Sequence, residues 1–145
     1  MRLIRATLAT LCAAGIYFPV LARDVPVPKI AVRDVALGEF QEGKSIQLEA
    51  YAKYSGELLL FDSRKVANLG LVYPYCISAN SLTATDAEKR EFDHKQVQVS
   101  GTLMRFEPIK PTSTIIQTLA VIDGMTFGNW CFGPYVLKID SIVAR

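Results

Sequence analysis

Two stretches of this chain, "KSIQLEAYAKY" from Lys44 and "KQVQVSGTLMRF" from Lys95, alternate apolar and polar residues over most of their length. Successive side chains of a strand point to opposite faces, so a period of two builds a ribbon with one buried side and one open side. In the first stretch Ile46, Leu48, Ala50 and Ala52 share one face, and Gln47, Glu49, Tyr51 and Lys53 share the other. In the second, Val97 and Val99 stand where Ile46 and Leu48 stood, with Gly101 in the place of Ala50. Both follow an acidic turn, Glu42-Gly43-Lys44 and Asp93-His94-Lys95. Two long strands with an internal glycine predict a bent sheet, the glycine marking a bulge or a barrel corner.

Shorter elements fit between them. Ser55-Gly56 is a tight turn into "ELLLFD", which makes residues 45 to 62 a hairpin. Asp62 or Ser63 caps a short helix that Gly70 ends. "VYPYCISA" reads as a third strand with Pro74 at its edge or start. Thr85 to Glu88, "TDAE", is a capping box opening a helix that runs to about Phe92. After the proline-marked loop 107 to 113, "TIIQTLAVI" and "MTFGNW" flank Asp123-Gly124, a favoured hairpin turn; with the β-branched density of 114–122 it favours strand there over the competing helix. "YVLKIDSIVA" forms the last strand.

The first 22 residues read as an export signal: Arg2 and Arg5 precede an uncharged stretch from Ala6 to Ala22, which ends on Val20-Leu21-Ala22. The mature chain is expected to begin at Arg23. Retention as a membrane anchor is the competing reading, opposed by Pro19, and a lipoprotein modified at Cys12 is opposed by the bulky Leu11 before it. Removing the leader takes two arginines and no acid, so 16 basic residues against 14 acidic ones become 14 against 14. A neutral exported chain lacks the basic footprint of a nucleic-acid binder. It also retains only Cys76 and Cys131, and an even pair in an oxidising compartment predicts a disulfide. A bonded Cys131 is neither a nucleophile nor a metal ligand. His94 is the sole histidine, so no metal site and no cofactor is expected.

The predicted domains are a signal peptide over 1–22, an extended arm over 23–39 punctuated by Pro26 and Pro28, and a body over 40–145. The element order predicts a mainly β fold: an OB-like five-stranded barrel with one or two short helices and an extra hairpin before the last strand. "EGKSIQLEA", "LLLFDSRKVANLG" and "DHKQVQVSGTL", within about residues 40 to 104, resemble the strand starts and post-strand helix of small bacterial periplasmic OB-fold-like proteins. Ala50 and His94 stand where that pattern has glycine. The resemblance implies a barrel and brings no catalytic residues with it.

No residue pattern predicts catalysis. Asp93 and His94 are adjacent in a turn with no activated serine, and Glu57, Asp62 and Asp123 are scattered acids. The aromatic residues are the candidate binding set: Tyr51, Tyr73, Tyr75, Phe127 and Trp130. In OB barrels such rings stack on ligands from the second and third strands and neighbouring loops. The competing expectation is that Phe127, Trp130 and Phe132 pack around the disulfide at one barrel end, which leaves the three tyrosines as the better binding residues. The expected function is a non-catalytic envelope binding module whose partner is a protein, peptide or envelope glycan. The alternatives are an immunity or inhibitor-type protein that neutralises a toxin or enzyme, and a hydrolase using the scattered acids.

Overall fold

The computed structural model describes residues 29–38, 42–107 and 119–145. The expected leader and the loop after Glu107 lie outside them. Ten-residue strand β2 (Ser45–Tyr54) turns at Gly56 into β3 (Leu58–Phe61), which pairs with β4 (Cys76–Asn80). The second alternating stretch is β5 (Gln96–Arg105), and the last strand is β8 (Tyr135–Ala144). The hydrogen-bonded order β2-β3-β4-β8-β5 closes when β5 pairs back onto β2, so the five strands form an OB-like barrel.

The alternation decides what fills it. Ile46, Leu48, Ala50 and Ala52 from β2 point inward with Leu58 and Leu60 from β3, Val97, Val99 and Leu103 from β5, and Leu137 and Ile139 from β8. Gly101 faces the expected irregularity: Ser100 opposes Ser141 while Gly101 opposes Ile139, so β8 carries Asp140 as the extra residue. A side-chain carbon on Gly101 would lie 2.3 Å from the Lys138 carbonyl oxygen, which makes glycine a requirement there.

The short helices follow their caps. Helix α2 (Arg64–Asn68) starts where Ser63 Oγ accepts the Val66 amide, and α3 (Asp86–Glu91) starts with the reciprocal Thr85–Glu88 capping box. Glu88 is held below the ordinary carboxylate range by the Thr85 amide and hydroxyl that bond it. Strand β4 begins later than expected. Val72 to Tyr75 form a turn containing a cis Tyr73-Pro74 bond, and pairing starts at Cys76.

Residues 29–38 correct the expectation of an extended arm reaching residue 39. Strand β1 (Lys29–Ile30) pairs in parallel with β2, and helix α1 (Val32–Ala36) follows at once. Ile30, Val32 and Val35 join the main core, so burial of three aliphatic side chains overrides the extended bias that the upstream prolines impose.

Strands β6 (Leu119–Ile122) and β7 (Met125–Gly128) form the extra hairpin, with Asp123 and Gly124 both in left-handed conformation at its tip. Among the described residues no helix is long and apolar enough to cross a membrane.

Candidate functional site

The outer face of β2, β3 and β4 is where an OB barrel presents its rings, and in this chain register alignment makes that face apolar. Tyr51 lies opposite Phe61, which lies opposite Cys76; one pleat away, Lys53, Leu59 and Ser78 line up the same way. Tyr51, Leu59, Phe61 and Cys76 are nonetheless buried. Their cover is Val66 and Ala67 of α2 together with Cys131 from the insertion between β5 and β8.

Cys131 is bonded to Cys76, with the two Cα atoms 5.4 Å apart, as the cysteine pair predicted. The Cys131 amide donates to Ser78 Oγ at 3.3 Å, so the segment after β7 lies directly across the face. Farther along, Met125 and Phe127 of the hairpin pack on Val136 with Met104 and Phe106, covering the outer side of β5 and β8. Side-chain hydrogen bonds from Glu57 and Asn80 pin this cover, and one from Asn129 braces it internally. Glu57, in the β2–β3 turn, accepts the Gly128 amide on both carboxylate oxygens at 2.7 and 2.9 Å. Asn80 Nδ2 donates to the Thr126 carbonyl, and Asn129 Nδ2 donates to the Gly133 carbonyl, each within 2.8 Å. Burial raises the Glu57 carboxyl above its ordinary value, against the lowering effects of the Gly128 amide and the Lys89 charge.

This arrangement sorts the sequence-derived candidates. Tyr51 is only 5% exposed, its hydroxyl sharing a 3.2 Å hydrogen bond with His94 Nδ1, so it is a wall of the disulfide cluster and not a ligand platform. Phe127 is fully buried under the hairpin and leaves the binding set for the same reason. Tyr75 is half-buried, with the Arg33 guanidinium 5.8 Å from its ring centre. Tyr73 is 48% exposed and Trp130 46% exposed.

Phe132, expected to pack at a barrel end, is instead 60% exposed. Its φ of 59° places it in the left-handed region, which costs a bulky residue roughly 1–2 kcal/mol. Hydrophobic burial does not explain this ring, because it points outward. Tyr73 lies against the residue after it: a side-chain carbon built on Gly133 would sit 3.6 Å from the Tyr73 ring. Leu69 and Leu71, also exposed, precede Tyr73 on the same loop. The disulfide therefore brings together two loops whose exposed side chains are Leu71, Tyr73, Trp130 and Phe132, the Trp130 indole nitrogen lying over Gly128 beside Glu57.

Chemically this is an exposed, mostly apolar surface. The ionisable groups nearby, Glu57 and His94, are engaged with Gly128 and Tyr51, and among the described residues no three His, Cys, Asp or Glu side chains gather around one point. An OB-like barrel carrying such a surface fits a binding module.

Comparison with protein-family models finds no match, and comparison with curated proteins finds none. Among solved structures, the chain is similar to the crystal structure of a protein assigned as an aspartyl-tRNA synthetase from Leishmania major Friedlin, at 13% identity and a TM-score of 0.45. That similarity covers 94% of this chain and 23% of the synthetase chain. A likeness this low says nothing about activity or ligand.

Proposed function

We propose that this chain is an exported, non-catalytic interaction module of the bacterial cell envelope, akin to the small periplasmic OB-like proteins its strand motifs resemble. It engages a protein partner through Tyr73, Trp130 and Phe132. The observation that carries this reading is Phe132, a large apolar side chain held outward in a backbone conformation that disfavours it. Strain of that kind persists where the surroundings enforce it, and here the bonded Cys131 and the Asn129–Gly133 hydrogen bond brace the residue from both sides.

Protein interfaces draw their binding energy from a few rigid aromatic anchors. Trp130 and Phe132 have that character, because a covalent tie has already removed most of the segment's freedom before a partner arrives. The leader pattern of residues 1–22 supports export, and so does a disulfide, which persists in oxidising compartments.

The test is capture of partners from a periplasmic extract by the tagged protein and by a Trp130→Ala/Phe132→Gly variant with an intact disulfide. A protein retained by the first and lost by the second is the expected result. Recovery of saccharide alone would reassign the rings to an envelope glycan, and equal capture by both proteins would remove the aromatic segment from the interaction.

A further inference from the structure

Helix α2 and the turn that closes it hold an apolar end in solvent. Ser63 caps the helix at its start. At its finish Gly70, with φ of 66°, turns the chain back, so that the Gly70 amide donates to the Ala67 carbonyl at 3.2 Å and the Leu71 amide to the Val66 carbonyl at 3.3 Å. This pair of bonds is a Schellman closure, in which the residue after the glycine often packs back on the helix. In this chain that residue, Leu71, is 45% exposed, and Leu69 on the other side of the glycine is 63% exposed. A hydrogen-bonded turn therefore keeps two leucines in water.

The charge beside those leucines has one sign. Ala67 is buried in the disulfide cluster and Val66 packs against it, so the opposite side of α2 is open, and it carries Arg64, Lys65 and Asn68. Lys65 is four residues from Leu69, which places cation and leucine on one stripe of the helix. Among the described residues neither Arg64 nor Lys65 forms an ion pair. No acidic residue occurs between Asp62 and Asp86 or between Asp123 and Asp140, so both segments joined by the disulfide are free of acids. The nearest acids are turned to other partners: Asp62 lines a hollow with Ile30, Ala31, Glu49 and Gln96, and Glu57 is bonded to Gly128.

We propose that this end of α2 docks on an anionic phospholipid bilayer, Leu69 and Leu71 entering the boundary between headgroups and acyl chains while Arg64 and Lys65 meet lipid phosphates. Binding at such an interface adds buried apolar area to attraction for anionic lipid, and long cationic side chains reach the headgroups with their stems along apolar surface. The unpaired cations supply the charge complementarity, and the closed turn has already fixed the backbone that would otherwise be ordered on docking. Leucine is under-represented among the anchors of protein interfaces, which separates this end from the aromatic group of Tyr73, Trp130 and Phe132. The inference goes beyond the protein-binding reading and does not depend on it, since its test contains lipid and no protein partner.

The test is sedimentation of the oxidised protein with vesicles of equal parts phosphatidylglycerol and phosphatidylcholine, beside vesicles of phosphatidylcholine alone. Half of the protein should be bound at about 1 mM of the anionic lipid mixture, and binding to the neutral vesicles should be about thirtyfold weaker. Arg64→Gln/Lys65→Gln should lose about the same thirtyfold on the anionic vesicles. Lys44→Gln/Lys95→Gln, which makes the same change of net charge at two exposed lysines elsewhere, should bind as the parent does. Leu69→Gln/Leu71→Gln should weaken binding by about tenfold; where that pair disturbs the circular dichroism, Leu69→Gln alone, at the more exposed position, replaces it with a loss of about fivefold. The inference is overturned by equal binding to both kinds of vesicle, by no binding at about 10 mM lipid, by a folded α2 variant that binds as the parent does, or by a control pair that loses as much as Arg64→Gln/Lys65→Gln.

Discussion

Replacing Cys76 and Cys131 together by alanine tests how the insertion is held over the barrel. The bond spans 55 residues, and loop closure of that length is worth about 4 kcal/mol in the chain-entropy account. That is a large part of the roughly 5–15 kcal/mol by which small domains are stable. With an m-value of about 1.5 kcal/mol per molar urea, the midpoint should fall by about 3 M. A second effect is local. Without the bond, segment 126–133 is held by the Glu57–Gly128, Ser78–Cys131 and Asn80–Thr126 hydrogen bonds, each worth about 1 kcal/mol net. Trp130, the chain's single tryptophan, reports on that segment. Its fluorescence should change at lower urea than the far-ultraviolet circular dichroism of the barrel, whereas the two coincide in the parent protein. A midpoint shift under about 1 M, or coincident transitions in the variant, would refute the idea that the bond is the principal fastening of the cover.

Three further perturbations follow from individual residues. Phe132→Gly removes a largely exposed ring and relieves a left-handed φ, so thermal unfolding should show a gain of about 1 kcal/mol alongside lost partner capture; destabilisation would mean that the ring packs in solution. Gly101→Ala drives a carbon into the Lys138 carbonyl and should cost about 3 kcal/mol, read as a lowered urea midpoint. Glu57 has a raised folded-state pKa, so its contribution to stability is greatest below the ordinary value of 4.5 and is lost as pH rises through the folded value. Glu57→Gln keeps an acceptor for the Gly128 amide without a charge to desolvate, so its stability relative to the parent should improve from pH 4 towards pH 7, and a flat difference across that range would contradict the burial of the carboxylate.

Much of the barrel was legible because its signals are local. Period two placed Ile46, Leu48, Val97 and Val99 inward, Gly101 marked the irregular pairing, Thr85 and Glu88 announced α3, and Asp123-Gly124 announced a hairpin. The disulfide followed from the compartment expected of the chain and the number of cysteines left in it. What escaped depends on distant coverage. Alternation correctly put Tyr51 on the outer face of β2, but nothing in that strand's own pattern says that α2 and the distant Cys131 will pack over that face. Phe132 illustrates the reverse case, an aromatic residue that composition assigns to packing and that a left-handed backbone turns outward. Helix α1 is five residues long, too short to show a helical period, and its burial became evident only with β2 and β4 around it.

The proposed recognition rests on the surface that the bonded loops present. A photoreactive phenylalanine analogue placed at Trp130, with one at exposed Lys44 as a control, tests this in periplasmic extract under irradiation. A discrete protein adduct at position 130 and none at position 44 is the predicted result. Equal labelling at both positions, or no adduct at 130 while the barrel remains folded and oxidised, would contradict it.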